Sequence, residues 1–153
     1  MVEQLLGSAL AERPGDVLAA CLCTNLRKAS RVATQRFDAA LKDCGVTVNQ
    51  LALLLACAGP AGTTTSAVST ALAVDRSTLT RTLRPLIERG LIERRSGGRS
   101  RRLSLTEAGR QRVAEALPRW AEAERALAEA IGWPTTARLL ADLGQITATG
   151  HGG

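Results

Sequence analysis

From Val17 to Asp43, apolar residues recur at spacings of three and four: Leu18, Leu22, Leu26, Ala29, Ala33, Phe37, Ala40 and Leu41. That period predicts one long helix, preceded by the break Pro14-Gly15-Asp16 and ended by Gly45. Residues 1 to 13 show weak periodicity and suit a short helix or a loose arm. Thr47 is placed to cap a second helix, Val48 to Ala58, which is apolar nearly all round and so expected to be buried. Gly59-Pro60-Ala61-Gly62 is a turn. A short third helix, about Ser66 to Leu72, is capped by Thr65 or a neighbouring threonine. Ala73-Val74-Asp75 then makes a tight connection into a fourth helix, Arg76 to Arg89, closed by Gly90.

After Gly90 the period becomes that of a strand. Leu91 to Arg95 is a candidate strand, Ser96-Gly97-Gly98 a loop tip, and Arg101 to Leu105 a second strand. In the latter, Leu103 and Leu105 alternate with Arg102 and Ser104. Two short helices joined by a tight turn, followed by a basic hairpin, suggest a helix-turn-helix with a wing. Thr106-Glu107 opens a long helix to about Ala130. Its Val113, Leu117, Trp120, Leu127 and Ile131 resemble a heptad seam that Glu124 interrupts. Pro118 is expected to kink or divide it. Gly132 and Pro134 break the chain before a last helix, about Thr135 to Ala148, and the tail Gly150-His151-Gly152-Gly153 is expected to be loose. The fold class is mainly α with a small β-wing, and 153 residues fit one domain.

Charge changes this picture. The net charge of +6 lies entirely between Asp75 and Arg102, which hold nine arginines against Asp75, Glu88 and Glu93. A one-signed arginine patch suits a phosphate-rich partner, because the guanidinium fork matches phosphate geometry. The fourth helix accommodates both patterns on two faces. Leu79, Leu83, Leu86 and Ile87 form the stripe that holds it on the core, while Ser77, Arg81 and Arg84 lie largely away from it. Ser77 and Thr78 are candidate small donors beside a helix N-terminus that suits phosphate. Arg81 and Arg84 are long enough to reach base edges in a major groove, and Thr80 belongs to the same candidate set. Arg99 at the wing tip is a candidate for the minor groove, with Arg94, Arg95, Arg101 and Arg102 on phosphates.

The run "VDRSTLTRTLRPLIERGLIERR", followed by a wing and "LSLTEAGR", resembles the MarR family of bacterial winged-helix regulators, and the order of helices around it agrees. The resemblance covers about Val17 to Ala148. It implies a winged helix-turn-helix over residues 46–106 and dimerisation helices over 17–45 and 107–148. It also implies a homodimer on a pseudo-palindromic operator, and a small molecule or oxidant that alters DNA binding. Leu18, Leu22, Val113, Leu117, Trp120, Leu127, Leu139, Leu140 and Leu143 are the candidate dimer residues. Family wings commonly carry an aspartate two residues before the wing arginine; here that position is Gly97. Pro85 lies inside the recognition helix, where it removes one backbone hydrogen bond.

The four cysteines are Cys21, Cys23, Cys44 and Cys57. Their spacing matches no zinc pattern, so no metal or cofactor is expected. Cys21 and Cys23 fall within one predicted helix, where their side chains diverge by about 200°. The run "LCTNLRKASRVAT" is similar to the first helix of the family's organic-hydroperoxide sensors, and Cys23 matches their reactive position. Arg27, one turn later, can favour a thiolate. The sensors' tyrosine positions here are Arg27, Phe37 and Val48, so that cage is absent. For Cys21 and Cys23 a sensory role, a thiophilic metal bridging helices or subunits, and a structural role all stay open.

His151 is the only histidine, there is no tyrosine, and no nucleophile, phosphate-loop or dinucleotide motif is present, which argues against an enzyme. No apolar run reaches the roughly 18 residues of a membrane span. No secretory signal is visible, and a cytoplasmic location is expected. The expected function is a DNA-binding transcription regulator of the repressor kind; the alternative is a winged-helix protein–protein interaction module without sequence-specific DNA binding.

Overall fold

Gly45, left-handed at φ 63°, ends the first helical stretch where the sequence predicts. The stretch is not one helix, however. A computed structural model, which describes residues 14–97 and 100–149, shows α1 (Pro14–Ala20), a break at Cys21, α2 (Leu22–Leu41) and a 3-10 turn (Lys42–Cys44). At the break, Asn25 Nδ2 donates to the carbonyls of Ala19 and Cys21 at 2.8 and 2.9 Å. The Ala19 carbonyl, which a continuous helix would pair with the Cys23 amide, is thus served by a side-chain amide, while the Cys21 carbonyl also keeps its helical bond from Asn25 N at 3.1 Å. Apolar spacing alone does not register that competition. The N-terminal arm and the tail from Gly150 lie outside the described residues.

The chain divides into two compact units, residues 1–36 and residues 37–153. In the first, Leu18, Leu22 and Val32 are exposed on α1 and α2.

The second unit holds the core. Its elements are α3 (Val48–Ala56), β1 (Thr63–Thr64), α4 (Thr65–Ala71), α5 (Arg76–Glu88), β2 (Ile92–Gly97), β3 (Ser100–Leu105), α6 (Glu107–Ile131) and α7 (Trp133–Thr149). Thr47 and Gln50 form a capping box at the start of α3, and Asp38 Oδ1 accepts from Val48 N at 2.7 Å. Thr64 caps α4 by accepting from Ala67 N. The strands make one antiparallel sheet in the order β1-β3-β2. β1 was not expected, because two residues are too short to show a period. In the register, Ile92 faces Leu105, Arg94 faces Leu103 and Arg95 faces Arg102.

Leu41, Leu51, Leu54, Val68, Leu79, Leu83, Leu86, Ile92 and Leu103 form one buried cluster. Burying a side chain of this kind contributes roughly 1.5–3 kcal/mol, so the cluster seats α5 and the wing on the same base. α6 joins it through Val113 and Ala116. Val113 is therefore a core residue of this unit, a correction to its place among the dimer candidates. Thr106 caps α6 by accepting from Gly109 N at 3.0 Å and donates to Gly90 O at 2.6 Å. α6 runs on past Pro118, which does not divide it. α7 begins at Trp133, so Pro134 sits in its first turn, where the missing N–H has no helical partner to lose. Among the described residues, no single helix is long and apolar enough to cross a membrane.

Candidate nucleic-acid interface

α4, the turn Leu72–Val74 and α5 make the helix-turn-helix. The turn is fixed by Ala73 at φ 50°, by Val74 N donating to Ser69 O at 3.1 Å, and by Ser69 Oγ donating to Val74 O. Asp75 then caps α5. Its carboxylate accepts from Ser77 Oγ, from Thr78 Oγ1 at 2.6 Å and from Thr78 N at 2.8 Å. Those bonds, led by the one from Ser77, hold the Asp75 carboxyl well below the usual carboxylate range. Asp75 is thus more than part of the predicted connection: an aspartate just before a helix is a strong capping signal. The consequence corrects an expectation. A fixed carboxylate already complements the N-terminus of α5, and the hydroxyl hydrogens of Ser77 and Thr78 are committed to it. The arginines are left as the candidate phosphate ligands.

Leu79, Leu83 and Leu86 are buried on one face of α5, as the pattern predicts. Arg76, Ser77, Thr80, Arg81 and Arg84 line a shallow depression on the exposed face. Arg76 was not among the expected contacts. Its place one turn before Thr80 was the signal that could have found it. The side chains of Arg76 and Arg81 have no hydrogen bond or ion pair among the described residues. Arg84 pairs through Nε with Glu88 Oε1 at 2.7 Å. With the Arg84 side chain 80% exposed, that pair contributes little to stability, and it leaves the guanidinium ends open to a ligand.

In the wing, Arg94 is exposed, and Arg95 Nε pairs with Glu93 Oε1 at 2.7 Å. Arg102 behaves differently from expectation. Its Nε donates to Ala61 O at 2.7 Å and its Nη2 to Gly62 O at 3.0 Å. It ties β3 to the turn before β1 rather than standing free for a phosphate. The strands stay paired out to Gly97 opposite Ser100, even though Gly97 replaces the bracing aspartate. Arg99 and the side chain of Arg101 lie outside the described residues.

Cys21 sits in the break between α1 and α2, so the expectation that Cys21 and Cys23 share one helix is corrected. The hydroxyl and amide of Thr24 hydrogen-bond the Cys21 sulfur and hold its thiol below the ordinary value. Cys23 and Arg27 are exposed on α2. Cys44 and Cys57 are buried, and burial pushes the Cys57 thiol up to about 11. Among the dimer candidates of the second unit, Leu117, Leu139 and Leu140 are exposed, and Leu127 and Leu143 half-buried. Trp120 stacks on Phe37 with ring centroids 6.4 Å apart and packs against the core.

No curated protein sequence matches the chain. Residues 45–103, which span the helix-turn-helix and most of the wing, match the profile of the MarR family. Solved structures extend the likeness. The transcriptional regulator MosR of M. tuberculosis, solved in complex with DNA, is 31% identical over 86% of this chain and 98% of that one, with a TM-score of 0.74. The transcriptional repressor CouR bound to p-coumaroyl-CoA is 30% identical over 85% of this chain and 94% of its own, with a TM-score of 0.77. CouR bound to a 23-mer DNA duplex is 28% identical over 89% and 99%, with a TM-score of 0.76. Identity at this level along nearly the whole chain, together with the capped basic helix and its wing, shows that the chain belongs to the MarR family of winged-helix transcriptional regulators.

Proposed function

We infer that this regulator binds a pseudo-palindromic operator as a homodimer, with α5 in the major groove and the β2–β3 wing beside it. One observation carries the reading: the exposed face of α5 presents Arg76, Arg81 and Arg84 together, and the first two have no partner among the described residues. Unpaired arginines in a row repel one another, and a polyanion relieves that repulsion. MosR and CouR, solved with DNA, support the same partner here. Arg81 and Arg84 reach base edges, while Arg94 and Arg95 meet phosphates. Arg99 in the minor groove and Arg101 on phosphate complete the set. A protein of this family is a regulator rather than an enzyme, and a DNA partner supports reading it as cytoplasmic.

The dimer follows from surface that a monomer would leave wet. Leu139 and Leu140 on α7 are 45% and 60% exposed, Trp133 and Ile146 are exposed on the same helix, and Ile131 is exposed at the end of α6. A second copy covers such a patch. We read the output as repression, relieved by a small molecule or an oxidant. CouR, named a repressor and solved with p-coumaroyl-CoA, supports the first. For an oxidant, the resemblance selects Cys23, with Arg27 one turn on.

The test is an electrophoretic shift with the DNA flanking the protein's own gene at increasing salt. Log affinity should fall linearly with log salt, by about 0.9 for each phosphate neutralised. An affinity indifferent to salt would count against the reading.

A further inference from the structure

Thr80 stands at the centre of the exposed strip of α5. Arg76 lies one turn before it, Arg84 one turn after it and Arg81 beside it, all lining the same depression. A base edge laid along this strip meets Thr80, so the state of its hydroxyl matters. Thr80 Oγ1 donates to Arg76 O at 2.8 Å. A hydroxyl has one hydrogen to donate and two lone pairs to accept with. With its hydrogen committed inside the helix, Thr80 meets DNA as an acceptor. Ser77 is in the same state, because its hydrogen goes to Asp75. The strip therefore has a fixed polarity, with donors on the arginines and acceptors on the hydroxyls between them.

The major groove offers donors at two places only, adenine N6 and cytosine N4, whereas guanine O6 and thymine O4 are acceptors. Phosphate oxygens are acceptors as well. Thr80 can satisfy neither class of acceptor without breaking its bond to Arg76 O. We propose that Thr80 is a specificity-determining residue whose oxygen accepts a hydrogen bond from the exocyclic amino group of an adenine or a cytosine in the operator. The inference rests on the DNA-binding reading and deepens it by giving one position of α5 a chemical preference. Arg81 supplies the complementary preference, since its free guanidinium can donate to guanine.

Base analogues test it. Duplexes selected by the protein from a random pool are rebuilt with 2-aminopurine for each adenine in turn, or with pyrimidin-2-one for each cytosine. Both analogues lack the amino group in the major groove. Wild type should lose affinity about threefold to tenfold at one position per half-site, the effect of one neutral hydrogen bond. The analogue that causes the loss identifies the base. Thr80→Val keeps the shape and removes the oxygen, so it should bind the unmodified duplex more weakly by the same factor and show no further loss at that position. Thr80→Ser should keep the sensitivity. The proposal is overturned if no analogue weakens wild type, or if Thr80→Val loses as much as wild type at the sensitive position. Absence of any salt-dependent duplex binding would overturn the DNA-binding reading itself, a separate result.

Discussion

Arg102 donates through Nη2 to the carbonyl of Gly62, 40 residues earlier, and through Nε to the neighbouring Ala61 carbonyl. The bond joins the middle strand of the sheet to the turn that leads into the helix-turn-helix. Gly62 can take part because its φ of 67° favours glycine, and because a Cβ there would collide with Ser104 and come within 2.8 Å of Leu103 O.

Arg102 should thus behave unlike the other wing arginines. Arg102→Ala should lower stability by about 1.5–3 kcal/mol, the scale of a charged hydrogen bond, as well as DNA affinity. Arg94→Ala, at an exposed position without a partner among the described residues, should lower affinity alone. Denaturant melts of the two variants beside duplex titrations separate these effects. Equal melting midpoints for both would contradict the brace.

Much of the fold was readable from periodicity. The stripe of Leu79, Leu83 and Leu86 showed which side of α5 is buried, and the alternation of Leu103 and Leu105 showed the wing. Thr47, Gly90 and Thr106 marked ends that the structure keeps. What escaped were side-chain bonds that leave no period. At the break in the first helix, the Asn25 side chain takes the Ala19 carbonyl that a backbone amide would otherwise hold. Asp75 engages the hydroxyls that looked available for phosphate. The partners of Arg102 are distant in sequence, so its charge alone suggested a ligand contact. Charge composition located the site within 28 residues, but only geometry sorted the free arginines from the engaged ones.

Gly109 is a second tight approach. A Cβ at this position would run into Leu91 O, which is backbone and has little freedom to yield. Gly109→Ala should therefore push α6 off the wing and cost about 1–3 kcal/mol, the range for overpacking a close contact. Urea unfolding measures it. A change within a few tenths of a kcal/mol would show that α6 can shift without loss.

Ala73 adopts φ 50° in the turn of the helix-turn-helix, a conformation that costs a side-chain-bearing residue roughly 1–2 kcal/mol. Glycine lacks that penalty but loses more chain entropy on folding. The expected net effect of Ala73→Gly is a stabilisation of about 0.5–1 kcal/mol with unchanged DNA affinity. A lower melting temperature would contradict the strained turn.

The thiols should react in a definite order. Cys21, whose sulfur is hydrogen-bonded by Thr24, should alkylate fastest near neutral pH, since its thiolate is favoured. Exposed Cys23 should follow, and buried Cys44 and Cys57 should react only on unfolding. Cys57 also makes stability depend on pH. Its thiol is neutral in the folded protein until about pH 11, while the unfolded thiol ionises near its ordinary value of 9.0. Its contribution to stability is complete below that ordinary value and declines as pH rises above it. Iodoacetamide labelling read by mass spectrometry gives the order, and labelling of Cys57 as fast as Cys23 in the folded protein would contradict it.

The central claim is that the basic face of α5 reads sequence rather than only holding phosphate. The most direct measurement compares the affinity of wild type and Arg81→Ala for the selected operator and for random duplex at one salt concentration. Arg81 is expected to account for about 1–3 kcal/mol of discrimination, so the operator-to-random ratio should fall at least several-fold while random binding changes little. Equal losses on the two duplexes would show that Arg81 only clamps the backbone, and the account of α5 as the reading helix would be wrong at its centre.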